Sequence, residues 1–211
     1  MKKAFPYRLY LVISEQSCVH HNYIHVAEQA ILGGVDIVQL REKQATTAAF
    51  IEKALRLQDV LGKHNVPLII NDNLEVAQKI NAYGIHVGNN DTKPSYIRSV
   101  WKECKSIGYS IEYLEQLESG ETKLADCLGV SPVFSTTTKT DTITEWGLEG
   151  IRKIRTLSDK PLIAIGNMNS HTAYGAIKAG ADCIAVVSAI CGAPNPMKAA
   201  FEIKNQIEKA L

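Results

Sequence analysis

The amino-acid sequence predicts a (β/α)8 barrel, and three features of the 211-residue chain support this fold class. Eight short apolar segments recur at even spacing, they alternate with segments of helical periodicity, and polar residues cluster where the apolar segments end. An open doubly wound sheet is the alternative, but no G-x-G-x-x-G motif follows the first apolar segment. We therefore expect one barrel domain over residues 1–211.

The predicted strands are near-continuous apolar runs, as is typical of parallel strands that are buried on both faces. They are Tyr7–Ser14, Asp36–Glu42, Pro67–Asp72, Gly84–Gly88, Ser106–Ile111, Cys127–Phe134, Pro161–Gly166 and Cys183–Ala189. Between the first three, apolar residues recur every three or four positions, which predicts helices over residues 22–32 and 47–63. Gly34 and Gly180 stand where helices should stop before the second and eighth strands.

The bulk composition argues against several classes of protein. A net charge of +1 offers no basic surface for nucleic acid or for an anionic membrane. No apolar run approaches the roughly 20 residues of a membrane-spanning helix, and residues 1–8 lack the apolar stretch of a signal peptide. The five cysteines are odd in number and form no C-x-x-C pair, so we expect reduced thiols and a cytoplasmic location.

Polar side chains stand at the carboxyl end of nearly every predicted strand, where a barrel places its active site. Gln39, Arg41 and Lys43 alternate along the second strand and should therefore share one face. A guanidinium, an ammonium and an amide that point together favour a dianionic ligand such as pyrophosphate. The alternative is an ordinary solvated strand end.

Two aspartates end the third strand and follow the fourth, so Asp72 and Asp91 should lie close together in the barrel. Mg²⁺ would relieve their repulsion, because it is commonly held by one or two carboxylates together with water and phosphate oxygens. The aspartates could instead cap the helices that follow them, or form the acid/base pair of a glycosidase. The neighbouring cationic side chains favour a metal with phosphate.

The sixth strand runs into a loop of four successive hydroxyl residues and a lysine, residues 135–139. This loop offers many hydrogen-bond donors and one fixed positive charge to a phosphorylated ligand. Gly166 and Ser188 follow the seventh and eighth strands, where barrels of this class often bind phosphate, although each could be only a turn residue.

Other chemically conspicuous residues are expected to have structural roles. His86 lies between apolar residues of the fourth strand and is expected to be a hydrogen-bonded core histidine. His21 and His25 have a spacing that can hold zinc, but no third ligand is near them in the sequence, which favours a solvated helix face. Trp101 and Trp146 are expected to pack in the interior.

In order along almost the whole chain, these blocks resemble the thiamine-phosphate synthase family, barrel enzymes that join the two halves of thiamine. The matching blocks are Gln39–Lys43, Ile69–Asp72, Gly84–Gly88 with Asp91, Ile107–Ser110, Ser131–Lys139, Ala164–Gly166 and Ala185–Ser188. The resemblance implies condensation of hydroxymethylpyrimidine diphosphate with thiazole phosphate, magnesium as cofactor, and a possible homodimer. It implies no nucleic-acid or membrane partner.

The resemblance also implies a role for individual residues. Asp72 and Asp91 would coordinate Mg²⁺, and Arg41, Lys43 and Lys139 would act on the departing pyrophosphate. The segments that bind the pyrimidine diphosphate would contain Gln39, Leu40, Arg41, Glu42, Lys43, Asn71, Ser110 and Lys139. The segments that bind the thiazole phosphate would contain Thr136, Thr137, Thr138, Gly166, Val187 and Ser188.

The chain departs from the family pattern at a few positions. Asn167 replaces a second glycine after Gly166, and Asn89-Asn90 replaces a Gln-Glu pair before Asp91. A thiazole tautomerase of the related TenI type is the alternative function, but such a protein is expected to have a histidine where this chain has Glu112. A non-catalytic sensor of phosphorylated ligands is a third possibility.

Overall fold

A computed structural model describes residues 5–136 and 144–211 of the chain. In it, parallel strands follow one another in sequence order around a closed barrel, and the eighth pairs with the first. The strands are β1 Leu9–Ile13, β2 Ile37–Leu40, β3 Leu68–Asn71, β4 Gly84–Val87, β5 Ser106–Ile111, β6 Cys127–Val130, β7 Leu162–Ala164 and β8 Cys183–Val186. Each falls within a predicted strand, so the predicted (β/α)8 barrel is confirmed.

Helices cover the outside of this barrel. They are α1 Tyr23–Leu32, α2 Thr47–Lys63, α3 Leu74–Lys79, α4 Pro94–Val100, α5 Gly120–Leu124, α6 Gly147–Leu157, α7 Ala173–Lys178, α8 Ser188–Cys191 and α9 Pro196–Ala210, with a 3₁₀ helix at Leu114–Glu118. The first two agree with the predicted helices. The side chains of Asn22 and Thr46 cap their amino-terminal ends, which fixes where each helix begins. No helix in the described ranges is long and apolar enough to cross a membrane.

Strand alternation divides the apolar residues into two clusters, because successive side chains of a strand point to opposite faces. The smaller cluster fills the inside of the barrel and contains Tyr10, Val12, Ile37, Ile69, Cys127, Ile163, Cys183 and Ala185. The larger cluster, which includes Leu11, Leu40 and Ile70, lies between the strands and the helices. Cys127 and Cys183 are both buried in the smaller cluster.

The two tryptophans and the histidine pair near α1 fit the structural roles expected of them. Trp101 and Trp146 are buried, and the Trp146 indole donates a hydrogen bond to the Ile111 carbonyl at 3.3 Å. The rings of His21 and His25 lie 4.8 Å apart, but His21 precedes α1 rather than lying on it. Within the described residues no third metal-ligating side chain joins them.

Three aspartates brace the amino-terminal end of the barrel in the same way. Asp36, Asp126 and Asp182 each precede an even-numbered strand, and each Oδ2 accepts a backbone N–H of the preceding strand at 2.8–2.9 Å. Each carboxylate also pairs with a cationic side chain of a covering helix. The partners are Leu9 and Lys204 for Asp36, Ile107 and Arg98 for Asp126, and Leu162 and Arg155 for Asp182.

These carboxylates lie at the end of the barrel that generally serves stability rather than catalysis. We expect Asp182→Ala to lower the free energy of unfolding by about 1–3 kcal/mol, because it leaves the Leu162 N–H and the half-buried Arg155 guanidinium without this acceptor. Denaturant unfolding measures the change, and Asp159→Ala, at an exposed position, is the control. Equal stability of the two variants would contradict a bracing role for Asp182.

Candidate active site

A cavity opens at the carboxyl ends of the strands, and all eight strands or the loops after them contribute to its wall. Most of the predicted site residues in the described ranges meet there. They are Gln39, Arg41, Lys43, Asn71, Asp72, Asp91, Ser110, Thr136, Gly166, Val187 and Ser188. The predicted residues Thr137, Thr138 and Lys139 lie outside the described residues.

Gln39 of β2 and the two basic residues that follow the strand, Arg41 and Lys43, border this cavity together, as expected, although β2 itself ends at Leu40. Gln39 is 4% exposed and donates a hydrogen bond from its amide to the Tyr10 hydroxyl at 2.9 Å. Arg41 extends the strand register, because its N–H donates to the Ile13 carbonyl at 2.8 Å. The Lys43 ammonium lies 4.0 Å from the Asp72 carboxylate. Gln39 is buried at the base of this group, whereas the Lys43 side chain is half exposed at the mouth.

Leu40 and Glu42 alternate with those residues, and their side chains point away from the cavity. Leu40 is fully buried beneath the helices. The Glu42 carboxylate accepts a hydrogen bond from the Glu15 N–H at 2.7 Å and pairs with Lys53 at 2.8 Å. Neither residue borders the cavity, and the Glu42 carboxylate instead links the loop after β1 to α2.

Asp72 and Asp91 both border the mouth of the cavity, where the negative charge of Asp91 acts on the Asp72 carboxyl group. Asp72 has a positive φ of 61°, and its N–H donates to the His86 carbonyl at 2.9 Å. Asp91 Oδ2 accepts the Gly88 N–H at 2.8 Å. Burial raises the pKa of Asp72 from 3.8 to about 6, and the charge and hydrogen bond of Asp91 add to the rise.

Neither aspartate caps the helix that follows it. The N-cap of α3 is Asn73, whose side chain accepts the Val76 N–H at 3.0 Å. Helix α4 starts at Pro94, and the preceding residue Lys93 makes no side-chain capping bond. The helix-capping alternative for Asp72 and Asp91 is therefore wrong, and both residues border the cavity.

The donor set of this pair suits a hard divalent cation. No group of three or more His, Cys, Asp and Glu side chains converges anywhere in the described residues, so a cage made only of protein side chains is not formed there. Mg²⁺ does not need one, because it usually keeps several waters and takes one or two carboxylates plus phosphate oxygens. Two adjacent carboxylates beside Lys43 match that requirement.

His86 is a wall residue that the sequence reasoning assigned only to the core. It is hydrogen-bonded, as expected, with Nε2 2.9 Å from the Ser110 hydroxyl, but its ring is half-buried and borders the cavity. Glycines on the next two strands leave room for the ring. A Cβ atom at Gly108 would lie 2.3 Å from Nδ1, and one at Gly129 would lie 3.0 Å from Cε1. Alternation from Gly84 along β4 was the available signal for the inward direction of His86.

On the opposite side of the mouth, two successive residues after β7 have positive φ angles. Gly166 has φ 107°, and a Cβ atom there would lie 2.6 Å from Pro132 Cβ, so only glycine fits. Asn167 has φ 53°, a conformation that asparagine adopts more readily than most residues. Asn167 therefore preserves the backbone that a second glycine would allow. The exposed Ser188 begins α8 at the same edge of the cavity.

Comparison with known proteins places this geometry in a family. The family model described as thiamine monophosphate synthase matches residues 9–190. The chain is similar to the thiamine-phosphate synthase of Albidiferax ferrireducens, with 42% identity over 95% of this chain and 92% of that protein. It is also similar to the thiamine-phosphate synthase of Chloroflexus aurantiacus, with 40% identity over 97% of this chain and 96% of the relative.

A solved structure agrees with the sequence relatives. The thiamine phosphate pyrophosphorylase from Pyrococcus furiosus superposes with a TM-score of 0.86 and 30% sequence identity. The match covers 97% of this chain and 96% of the other.

The raised pKa of Asp72 predicts a pH-dependent stability of the metal-free protein. A carboxyl group whose pKa rises on folding costs no stability below its unfolded pKa, and the cost grows as the pH rises through the folded pKa of about 6. We expect Asp72→Asn to stabilise the protein at pH 7.5 on the order of 2 kcal/mol, or roughly 5 °C in melting temperature. Asparagine also tolerates the positive φ at this position.

Melting curves in EDTA at pH 7.5 and pH 4.5 measure this effect, and the gain should shrink at the lower pH. Asp159→Asn, at an exposed position, is the matched control. An equal gain at both pH values would show that backbone preference, rather than removal of the buried charge of Asp72, stabilises the variant.

Proposed function

We propose that this chain, which belongs to the thiamine monophosphate synthase family, condenses hydroxymethylpyrimidine diphosphate with thiazole phosphate. The products would be thiamine phosphate and pyrophosphate, which makes the protein a transferase. The observation that carries the proposal is the meeting of two cationic residues, Arg41 and Lys43, with the carboxylate pair Asp72 and Asp91 at one barrel mouth. That combination suits a diphosphate leaving group.

In this reaction the lone pair of the thiazole nitrogen forms a bond to the pyrimidine methylene carbon. The bond from that carbon to the diphosphate oxygen breaks, and its electron pair leaves with pyrophosphate. The electron-rich aminopyrimidine can stabilise a methylene cation, so bond breaking can run ahead of bond formation. Arg41, Lys43 and Lys139 would stabilise the charge that builds on the leaving group. The neutral thiazole nitrogen needs no general base.

Magnesium is part of this proposal. Asp72 and Asp91 would hold it, as the donor set at the mouth suggests. When bound, Mg²⁺ would supply positive charge to the pyrophosphate oxygens. Gln39, Asn71 and Ser110 would complete the diphosphate and pyrimidine side of the site, where all three border the cavity.

The thiazole phosphate would bind across the mouth from these cations. Gly166, Val187 and Ser188 border the cavity there, and the first N–H groups of α8 supply donors suited to phosphate. Thr136 lies on the same wall. Thr137 and Thr138 are assigned to this phosphate through the family resemblance alone, as Lys139 is to pyrophosphate.

The TenI-type tautomerase alternative is not favoured. The relatives compared above carry the name thiamine-phosphate synthase, and the position where a tautomerase histidine is expected holds Glu112. The Glu112 carboxylate accepts a hydrogen bond from the Asn89 amide at 2.9 Å. A cytoplasmic location and a homodimer remain proposals that rest on the cysteine pattern and on the resemblance.

A direct assay tests the function. Purified protein incubated with both phosphorylated substrates and MgCl₂ should form thiamine phosphate and pyrophosphate in equal amounts, and EDTA should abolish the reaction. Chromatography of the products with fluorescence detection after oxidation measures thiamine phosphate. Tautomerisation of the thiazole substrate without condensation would overturn the proposal.

Substitutions at the leaving-group side test the assigned roles. We expect Lys139→Ala and Asp72→Ala each to lower kcat about 100-fold or more, because each removes charge stabilisation in the transition state or the cation that provides it. Steady-state kinetics measure the loss, and circular dichroism verifies the fold. Lys63→Ala, which changes an exposed lysine at the end of α2, is the control. Rates close to wild type in both variants would refute the pyrophosphate and magnesium assignment.

A further inference from the structure

One asparagine side chain joins two loops of the mouth through all of its polar atoms. Asn89 lies in the loop after β4, and its Nδ2 donates to Glu112 Oε2 at 2.9 Å. Its Oδ1 accepts the Tyr109 hydroxyl and the Gln116 amide, each at 2.6 Å. Tyr109 belongs to β5, while Glu112 and Gln116 lie in the loop and 3₁₀ helix after it. Three contacts on one short side chain fix its position closely.

Gln116 anchors the far side of this network. It is 4% exposed, and its Oε1 accepts the N–H groups of Glu112 at 2.7 Å and Tyr113 at 3.0 Å. Its Nε2 also lies 3.3 Å from the Ser110 carbonyl as a second acceptor. Both polar ends of this buried amide are therefore satisfied, and the β5 loop is a rigid support for Asn89.

Asn89 is part of the same turn as Asp91. The Asp91 N–H donates to the Gly88 carbonyl at 3.3 Å, and Asp91 Oδ2 accepts the Gly88 N–H at 2.8 Å. These two bonds close a turn in which Asn89 directly follows Gly88. The side-chain bonds of Asn89 therefore act on the same turn that holds the Asp91 carboxylate.

We propose that Asn89, Tyr109 and Gln116 form an amide clamp that positions Asp91 for a divalent cation. The clamp does not touch the cation; it acts through the Gly88–Asp91 turn and lowers the reorganisation needed for binding. Asp72 is held by its own backbone bond to the His86 carbonyl, so the clamp sets the second carboxylate against a fixed first one. This inference rests on the proposed magnesium site, and it assigns Glu112 to the support of Asn89.

Residues that orient metal ligands typically change metal affinity about 10- to 100-fold when they are replaced. We expect Asn89→Ala to weaken Mn²⁺ binding about tenfold, because it removes all three contacts of the clamp. Tyr109→Phe removes one hydroxyl and should weaken binding about threefold. The probe is Mn²⁺ in the presence of inorganic pyrophosphate, followed by electron paramagnetic resonance at a temperature well below melting.

The double variant distinguishes a clamp from general destabilisation. If Tyr109 acts through Asn89, adding Tyr109→Phe to Asn89→Ala should cause no further loss of Mn²⁺ affinity. Gln58→Ala removes a comparable side-chain hydrogen bond, to the Ile80 carbonyl at 3.2 Å, and should leave Mn²⁺ affinity unchanged. It controls for loss of stability alone.

Wild-type Mn²⁺ affinity in Asn89→Ala, or additive losses in the double variant, would overturn the clamp. A wild-type protein that makes thiamine phosphate but binds no Mn²⁺ with pyrophosphate would overturn both the clamp and the metal site, while leaving the synthase function intact. A third outcome is that the wild-type protein makes no thiamine phosphate, while Asn89→Ala binds Mn²⁺ more weakly than wild type does. This outcome would support the clamp and reject the synthase function.

Discussion

Closure of the parallel barrel is the constraint on which the rest of the structure depends. Once β8 pairs with β1, every second residue of each strand must point into a narrow interior. The small residues Gly108 and Gly129 are placed where the His86 ring needs their space. Above this layer the inward positions become polar, and parallel strands bring them all to one mouth. The site is a consequence of strand direction and alternation.

The two ends of the barrel use carboxylates in opposite ways. At the amino-terminal end, Asp36, Asp126 and Asp182 each meet a backbone donor and a cationic side chain, which stabilises the fold. At the mouth, burial and the neighbouring charge of Asp91 raise the pKa of Asp72, and the Lys43 ammonium 4.0 Å away offsets this only in part. A carboxylate that costs stability in this way is typical of a site arranged for ligand binding.

Much of the mouth could be predicted from the sequence because strand periodicity is a local property. Alternation along the predicted second strand was enough to bring Gln39, Arg41 and Lys43 to one cavity, although β2 ends at Leu40. The same rule, applied to the residues between them, would have directed the Leu40 and Glu42 side chains away from the cavity. The family resemblance matches Gln39–Lys43 as one continuous block, whereas side-chain directions alternate within it. The resemblance alone therefore did not separate the residues that border the cavity from Leu40 and Glu42.

The sequence by itself determined the eight strands and their order, the barrel class, the family resemblance, and many of the residues that line the mouth. Tertiary structure alone decided that Asp72 and Asp91 do not cap helices, that Glu42 is engaged by Lys53, and that Asn89 spans two loops. The physical reason is the separation in sequence over which each kind of interaction acts. Periodicity and propensity act over a few neighbouring residues, whereas these contacts join residues that meet only after strands far apart in sequence have paired.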